Sequence, residues 1–269
     1  MIKIGVVSDL HTEFWTASDR YAIAEVVQRR LADADLILVP GDIANGAIGI
    51  DLTRSMFPDR PVFMVAGNHE FYNYDYNQTL DELKRRATEN VQFLHKTTAV
   101  LGVHNTSIRI LGTTLWTDFL LHGTRELSLL DAMQINDFRL IRYQGRVLKP
   151  ADTLEWHRQE REWLLGELEM PFDGITIVMT HHAPVAFAIG PQYRGDALSP
   201  CFASNLEPAL ARRDIALVVW GHTHHCVDRT IGPIRFVSNQ TGYPGRVQGT
   251  PLPTETGEFG QIIELTPHR

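Results

Sequence analysis

Residues 2–11, IKIGVVSDLH, set the reading of the whole chain. The run 2–7 is short, rich in β-branched residues and stopped by polar ones, which reads as a buried strand. It delivers Asp9 and His11, and in an extended segment residues two apart point to the same side. Asp9 and His11 can therefore grip one cation. The same pattern recurs as LILVPGD at 36–42, VFMVAGNHE at 62–70, ITIVMTHHAP at 175–184 and LVVWGHTHH at 217–225. Each apolar run leads into Asp, Asn or His. In the first of these, Gly41 lets the chain turn sharply and present Asp42, whose two oxygens can bridge two ions. Side chains at the carboxyl ends of strands would converge on one edge of an α/β sheet, the usual place for a ligand.

Working outward, further apolar runs at 108–111, 234–237 and 262–265 add strands, and helical spacing appears between them. Residues 21–31 place Ile23, Val26, Val27 and Leu31 on one stripe. Thr79 followed by Glu82 reads as a capping box opening a helix to about residue 88. A third amphipathic helix is expected over 153–168, carrying Leu154, Trp156, Leu164, Leu165 and Leu168. Strands alternating with helices, then closely spaced strands, predict an α/β fold with one or two mixed sheets covered by helices. No repeat or Ser/Gly linker divides the chain, so a single domain over 1–269 is expected. The least regular region, 115–151, reads as a cap-like insertion over one end of the sheets.

Composition narrows the function. In 269 residues, 25 Lys and Arg stand against 32 Asp and Glu, a formal charge of −7, which argues against a nucleic-acid coat. Apolar runs fall far short of the roughly 20 residues of a spanning helix, so no membrane association is expected. Two cysteines, Cys201 and Cys226, are too few for a disulfide framework, and with no apolar leader a cytoplasmic location is expected. No nucleophile elbow, phosphate-binding loop or dinucleotide fingerprint is present. The 12 histidines are the unusual feature.

Taken singly, each block has a bland reading: Asp-x-His at a strand end, Gly-Asp as a turn, Asn-His as a cap, His-His before a proline, His-x-His on a solvated face. Together these readings are hard to sustain, because the series Asp-x-His, Gly-Asp, Gly-Asn-His-Glu, His-His, Gly-His-x-His is complete and each member follows a strand. With this series, from Asp9 to His224, the chain closely resembles the calcineurin-like metallophosphoesterase family. The resemblance implies a sandwich of two mixed β-sheets flanked by helices, with a two-metal centre at one edge. It implies that Asp9, His11 and His224 bind one metal, that Asn68, His181 and His222 bind the other, and that Asp42 bridges them. His69 matches the position used near the leaving group.

Mixed nitrogen and oxygen ligands suit transition metals rather than the all-oxygen cages of Ca and Mg. Two divalent or mixed-valence ions are therefore expected, Mn, Fe or Zn foremost. Two such ions about 3.5–4 Å apart can bridge a hydroxide and stabilise both oxygens of an in-line displacement. The expected activity is hydrolysis of a phosphoric monoester or diester, the substrate being a small phosphate ester, with a nucleotide among the candidates. A non-catalytic metal-binding scaffold and a nuclease of the same family are the alternatives. His182 and His225 adjoin ligands and are expected outside the metal set; Cys226 is expected to be a free thiol; His95, His104, His122, His157 and His268 have no assigned role. For substrate contacts, Tyr193 and Arg194 are candidates, as is a rim loop at 239–245. Trp116, Phe119, Phe138, Tyr143, Arg139, Arg142 and Arg146 could stack on a base or pair with a second phosphate, or else pack the insertion and face solvent.

Overall fold

In strand β1 (Ile2–Val6) four of the five residues are buried, and it pairs in parallel with β2 (Leu36–Val39), which continues in parallel to β3 (Val62–Met64) and β4 (Val91–Phe93). This computed structural model describes residues 1–122, 124–245 and 254–266, so His268 lies outside the described residues. The hairpin of β5 (Thr97–Val103) and β6 (Thr106–Thr113) opens a second sheet. A small hairpin of β7 (Arg142–Tyr143) and β8 (Arg146–Val147) stands apart. Strand β9 (Ile175–Thr180) joins β6 in parallel, and β10 (Leu217–Val219) joins β9. Then β11 (Val227–Ile231) and β12 (Ile234–Ser238) form an antiparallel pair, β12 lying parallel to β10. Last, β13 (Gln261–Leu265) returns antiparallel to β1. Both sheets are thus mixed.

The two-residue period of a strand explains why they stack. Leu36 and Leu38 of β2 meet Ile177 and Met179 of β9 in the interior between the sheets. Their neighbours Ile37 and Val39 face outward onto α1 (Ala17–Arg30) and α2 (Ile48–Met56), within a cluster that also takes in α3 (Tyr76–Arg86). Val178, on the other face of β9, packs against Leu164 and Leu168 from near the end of the long helix that follows the 115–151 region. Strands covered on both faces read as continuous apolar runs, which is why they were legible.

Helix boundaries differ from the sequence expectation at their starts. Helix α3 opens three residues before Thr79, because the Asp75 carboxylate accepts the N–H groups of Asn77 at 3.0 Å and Gln78 at 3.3 Å. Thr79 is buried inside that helix, and Glu82 pairs with Arg85 and Arg86 instead of capping. Helix α2 was not expected. Yet Gly49 lets the helix approach Ile43, whose Cβ would lie 3.2 Å from an added methyl. The edge strands β4, β5 and β11 were also not expected; β5 and β11 show water alternate or polar residues.

Residues 115–151 contain α4 (Arg125–Ala132), α5 (Asp137–Leu140) and the small hairpin, and run into α6 (Pro150–Glu169). Their aromatics Trp116, Phe119 and Phe138 are buried, Arg139 and Arg142 are exposed, and Arg146 is paired with Asp152 at 2.7 Å. These side chains pack the segment and face solvent. The entry to it is fixed by Glu160 of α6, which is 1% exposed and accepts the Thr113 hydroxyl at 2.7 Å and the Leu115 N–H. It thereby holds Leu115 and Trp116 at left-handed φ values of 72° and 47°.

Burial raises the Glu160 carboxyl from 4.5 to about 7, against the pull of its two hydrogen bonds. The native state therefore holds a proton that the unfolded chain has released, so this contribution to stability is complete below pH 4.5 and lost as pH rises to about 7. Glu160→Gln keeps an acceptor without a charge. Urea midpoints across that window should fall in the wild type and fall less in the variant; parallel curves would show that the group does not titrate there.

Candidate metal centre

The five blocks leave β1, β2, β3, β9 and β10 at their carboxyl ends. Backbone bonds tie neighbouring turns together, from Asp9 N–H to the Gly41 carbonyl at 3.1 Å, from His11 to Asp42 at 3.1 Å and from Gly221 to His181 at 3.0 Å. Bonds that cross between the sheets include His181 Nδ1 with the Pro40 carbonyl at 2.7 Å, and His222 N–H with Asp9 Oδ1 at 2.8 Å.

Side chains of all seven expected ligands come together, with His69 beside them. Donor atoms of Asp9, His11 and His224 lie within 4.8 Å of one another, as do those of Asp42, His181 and His222 and those of His11, Asp42 and His69. Asp42 Oδ2 stands between the two outer groups, 3.9 Å from His11 Nε2 and 3.4 Å from His181 Nε2. Asn68 Oδ1 is 3.0 Å from His181 Nε2, and His11 Nε2 is 3.0 Å from His224 Nε2. Two imidazole nitrogens that close need a shared proton or a shared cation.

The expected extended geometry at Asp9 and His11 is corrected. Strand β1 ends at Val6, and Asp9, His11, Asp42, His222 and His224 have φ values of 56°, 45°, 55°, 72° and 46°. Left-handed turns rather than a pleat aim these side chains. Glycines make room beside them: a methyl on Gly67 would collide with Asp42 Oδ1 and His181 Cε1, and one on Gly221 would lie 2.6 Å from Asp9 Oδ2.

The electrostatics ask for a cation. Burial works against ionising Asp42, but His181, His69 and His11 around it hold its carboxyl well below the usual range. Burial also opposes protonation of His181 and His224, yet carboxylates outweigh it, Asp42 raising the first to about 9 and Asp9 with Glu255 raising the second to about 10. His222, buried beside His182 and His181, is lowered well below its ordinary value. Divalent ions can replace such protons, and the donors fit them: imidazole and carboxylate, with Pro40 and Glu255 fixing the far nitrogens of His181 and His224.

Four further residues shape the centre. Buried Glu70 accepts the N–H groups of Asp42, Ile43 and Gly67. Asp137, from the 115–151 segment, accepts from Asn68 Nδ2 at 2.8 Å and Tyr72 at 2.7 Å, turning the Asn68 oxygen toward His181. Glu13 lies 2.7 Å from His69 Nδ1, and Tyr243 Oη lies 3.1 Å from His69 Nε2. Burial opposes protonation of His69, but Asp42 and Glu13 raise its pKa. Glu13 continues the Asp9-x-His11 spacing by two residues, a signal the sequence did carry; Asp137 carried none. His182 lies beside His222, tilted against it with ring centres 4.1 Å apart, outside the donor clusters. Cys226 is a free, half-buried thiol.

A cavity of about 540 Å³ opens over the centre, lined by Asp42, Asn68, His69, His222 and His224 together with Tyr193 and Tyr243. The rim loop at 239–245 therefore reaches the site. Arg194 is exposed and does not line the cavity. Among the described residues no helix is long and apolar enough to cross a membrane.

The chain is 26% identical over 267 residues to an uncharacterized protein of Acanthamoeba polyphaga mimivirus, covering 88% of this chain and 90% of that one. Its fold is similar to that of a phosphopantetheinyl hydrolase from Mycobacterium tuberculosis, with a TM-score of 0.73 at 16% identity over 97% and 95% of the two chains. It is also similar to a putative 5'-nucleotidase from Staphylococcus aureus, with a TM-score of 0.52 at 18% identity, over 88% of this chain and 48% of that one. Residues 2–226 match the calcineurin-like phosphoesterase family, and the chain belongs to that family of phosphoric ester hydrolases.

Proposed function

We propose that the chain hydrolyses a phosphoric ester at a two-metal centre, with Asp9, His11 and His224 holding one ion, Asn68, His181 and His222 the other, and Asp42 touching both. The observation that carries this reading is the placing of Asp42 Oδ2 between His11 Nε2 and His181 Nε2, at 3.9 Å and 3.4 Å. Manganese, iron or zinc suits the mixed donors. When bound, such ions supply Lewis acidity to the phosphoryl oxygens and lower the pKa of an attacking water toward neutrality.

The chain's own residues handle the leaving group. Glu13 fixes Nδ1 of His69, so Nε2 is the nitrogen directed at the cavity, with Tyr243 Oη beside it. As a hydroxide oxygen bonds to phosphorus and the ester P–O bond breaks, the departing alkoxide takes a proton from His69 Nε2, and the proton that water gave up in forming the hydroxide replaces it. Asp137 keeps the Asn68 amide from rotating its nitrogen toward the donor cluster. Segment 115–151 serves as a cap, since Gln134, Ile135, Asn136 and Asp137 line the cavity. The free thiols Cys201 and Cys226 suit a reducing, cytoplasmic location.

Asp42→Ala should lose both metal, read by elemental analysis of the purified protein, and turnover. His69→Ala should keep its metal and lose about 10²–10⁴ in kcat on an alkyl phosphate, the usual contribution of a general acid. The loss on nitrophenyl phosphate should be smaller, because that leaving group departs without a proton. Unchanged turnover of the alkyl ester would remove His69 from this role. Gly67→Ala should lower metal content while far-UV circular dichroism is retained, since the added methyl meets Asp42 and His181 rather than the sheet core.

A further inference from the structure

The seven proposed ligands differ in how they can fail. A carboxylate presents an acceptor from either oxygen, and the imidazoles of His181 and His224 have their far nitrogens tied to the Pro40 carbonyl and to Glu255. Asn68 alone among the seven has two ends of nearly equal shape and opposite chemistry, an oxygen that accepts and an NH₂ that donates. Its oxygen faces His181 Nε2 at 3.0 Å. Turned over, the amide would donate to that nitrogen instead, filling the place of a cation with a hydrogen bond the chain makes to itself.

Water does not arbitrate here, since Asn68 is 3% exposed. The choice rests on what stands at the other end of the amide. Nδ2 donates to Asp137 Oδ1 at 2.8 Å and to Tyr72 Oη at 3.0 Å. A hydroxyl can serve either end of an amide, but the Tyr72 proton goes to the same Asp137 oxygen at 2.7 Å, which leaves Oη as an acceptor. One carboxylate oxygen thus sets the polarity of both neighbours. Were the amide turned over, its oxygen would face two acceptors in a buried space, where an unmade hydrogen bond is costly.

Asp137 reaches this place from the 115–151 segment, where it opens α5. Backbone bonds fasten that segment to the turn beyond Asn68, from Asn73 N–H to the Leu140 carbonyl at 3.0 Å and from Arg142 N–H to the Tyr74 carbonyl at 2.9 Å. These bonds go to the turn that carries Asn68, not to those carrying Asp9, His11 or His224.

We infer that Asp137 is a positioning residue for one ion of the pair. By keeping the acceptor end of Asn68 toward the donors, it governs occupancy of the Asn68–His181–His222 site and leaves the Asp9–His11–His224 site alone. This inference rests on the proposed two-metal reading and adds that the two sites can be emptied separately.

The test titrates Mn²⁺ into the full chain after chelator treatment and follows unbound Mn²⁺ by electron paramagnetic resonance, a readout independent of turnover. Wild type should take up two ions. Asp137→Ala should weaken one of the two steps by about 10–100-fold, the usual cost of removing an outer partner of a metal ligand, and leave the other as it was. Asn68→Asp abolishes the two-ended amide, because both ends of a carboxylate accept. In that background Asp137→Ala should strengthen uptake or leave it unchanged, since facing carboxylates repel. Weakening in both backgrounds, weakening of both steps, or loss of far-UV circular dichroism in Asp137→Ala would show a carboxylate that holds the fold rather than the amide, and would overturn the inference. Two unaltered steps in Asp137→Ala would overturn it as well. Fewer than two ions in wild type would overturn the two-metal reading and this inference with it.

Discussion

Glu70 is fully buried, and its two carboxylate oxygens receive the N–H groups of Asp42 at 3.0 Å, Ile43 at 2.8 Å and Gly67 at 2.6 Å. These donors belong to two turns, one after β2 and one after β3, so a single side chain sets the spacing between Asp42 and Asn68. Burial, with the charge of Asp42 nearby, pushes the Glu70 carboxyl up to about 8, while its backbone donors pull the other way. Asp42 then passes the constraint on, its Oδ1 accepting the His69 N–H at 2.9 Å.

This clamp works against backbone strain. Left-handed geometry disfavours non-glycine residues by roughly 1–2 kcal/mol each, and Asp and His are among the types that tolerate it best. Five of the seven proposed ligands sit there. Such turns persist only when their surroundings over-determine them. Here the surroundings are strands buried on both faces, whose ends cannot shift without opening the interior formed by Leu36, Leu38, Ile177 and Met179. The turns that carry these side chains are therefore held by the fold itself.

The strands buried on both faces and the five polar blocks at strand ends were legible because both signals are local. An apolar run of strand length followed by Asp, Asn or His needs no knowledge of partners. Residues that orient the ligands were not legible, since their contacts span the chain: Asp137 is 69 positions from Asn68, and Glu255 is 31 from His224. The left-handed turns at Asp9 and His11 escaped for a different reason. Asp-x-His spacing fits an extended strand as well as a pair of turns, and only the bonds from Asp9 to Gly41 and from His11 to Asp42 choose between them. The start of α3 was misplaced because Asp75 and Thr79 can both cap, and the buried face of the helix favours the longer version.

The distribution of charge joins metal affinity to substrate choice. Many cations of this chain are held at its surface in pairs, Arg86 with Asp51, Arg146 with Asp152 and Arg235 with Asp228, each worth little to stability. What the pairing achieves is spatial: acidic side chains without such partners, Asp9, Asp42 and Asp137, lie buried at one sheet edge. In a medium of low effective dielectric these carboxylates create a field that only a compact multivalent cation can neutralise. Ions held there would reverse the sign over a few ångströms and attract a phosphoryl group.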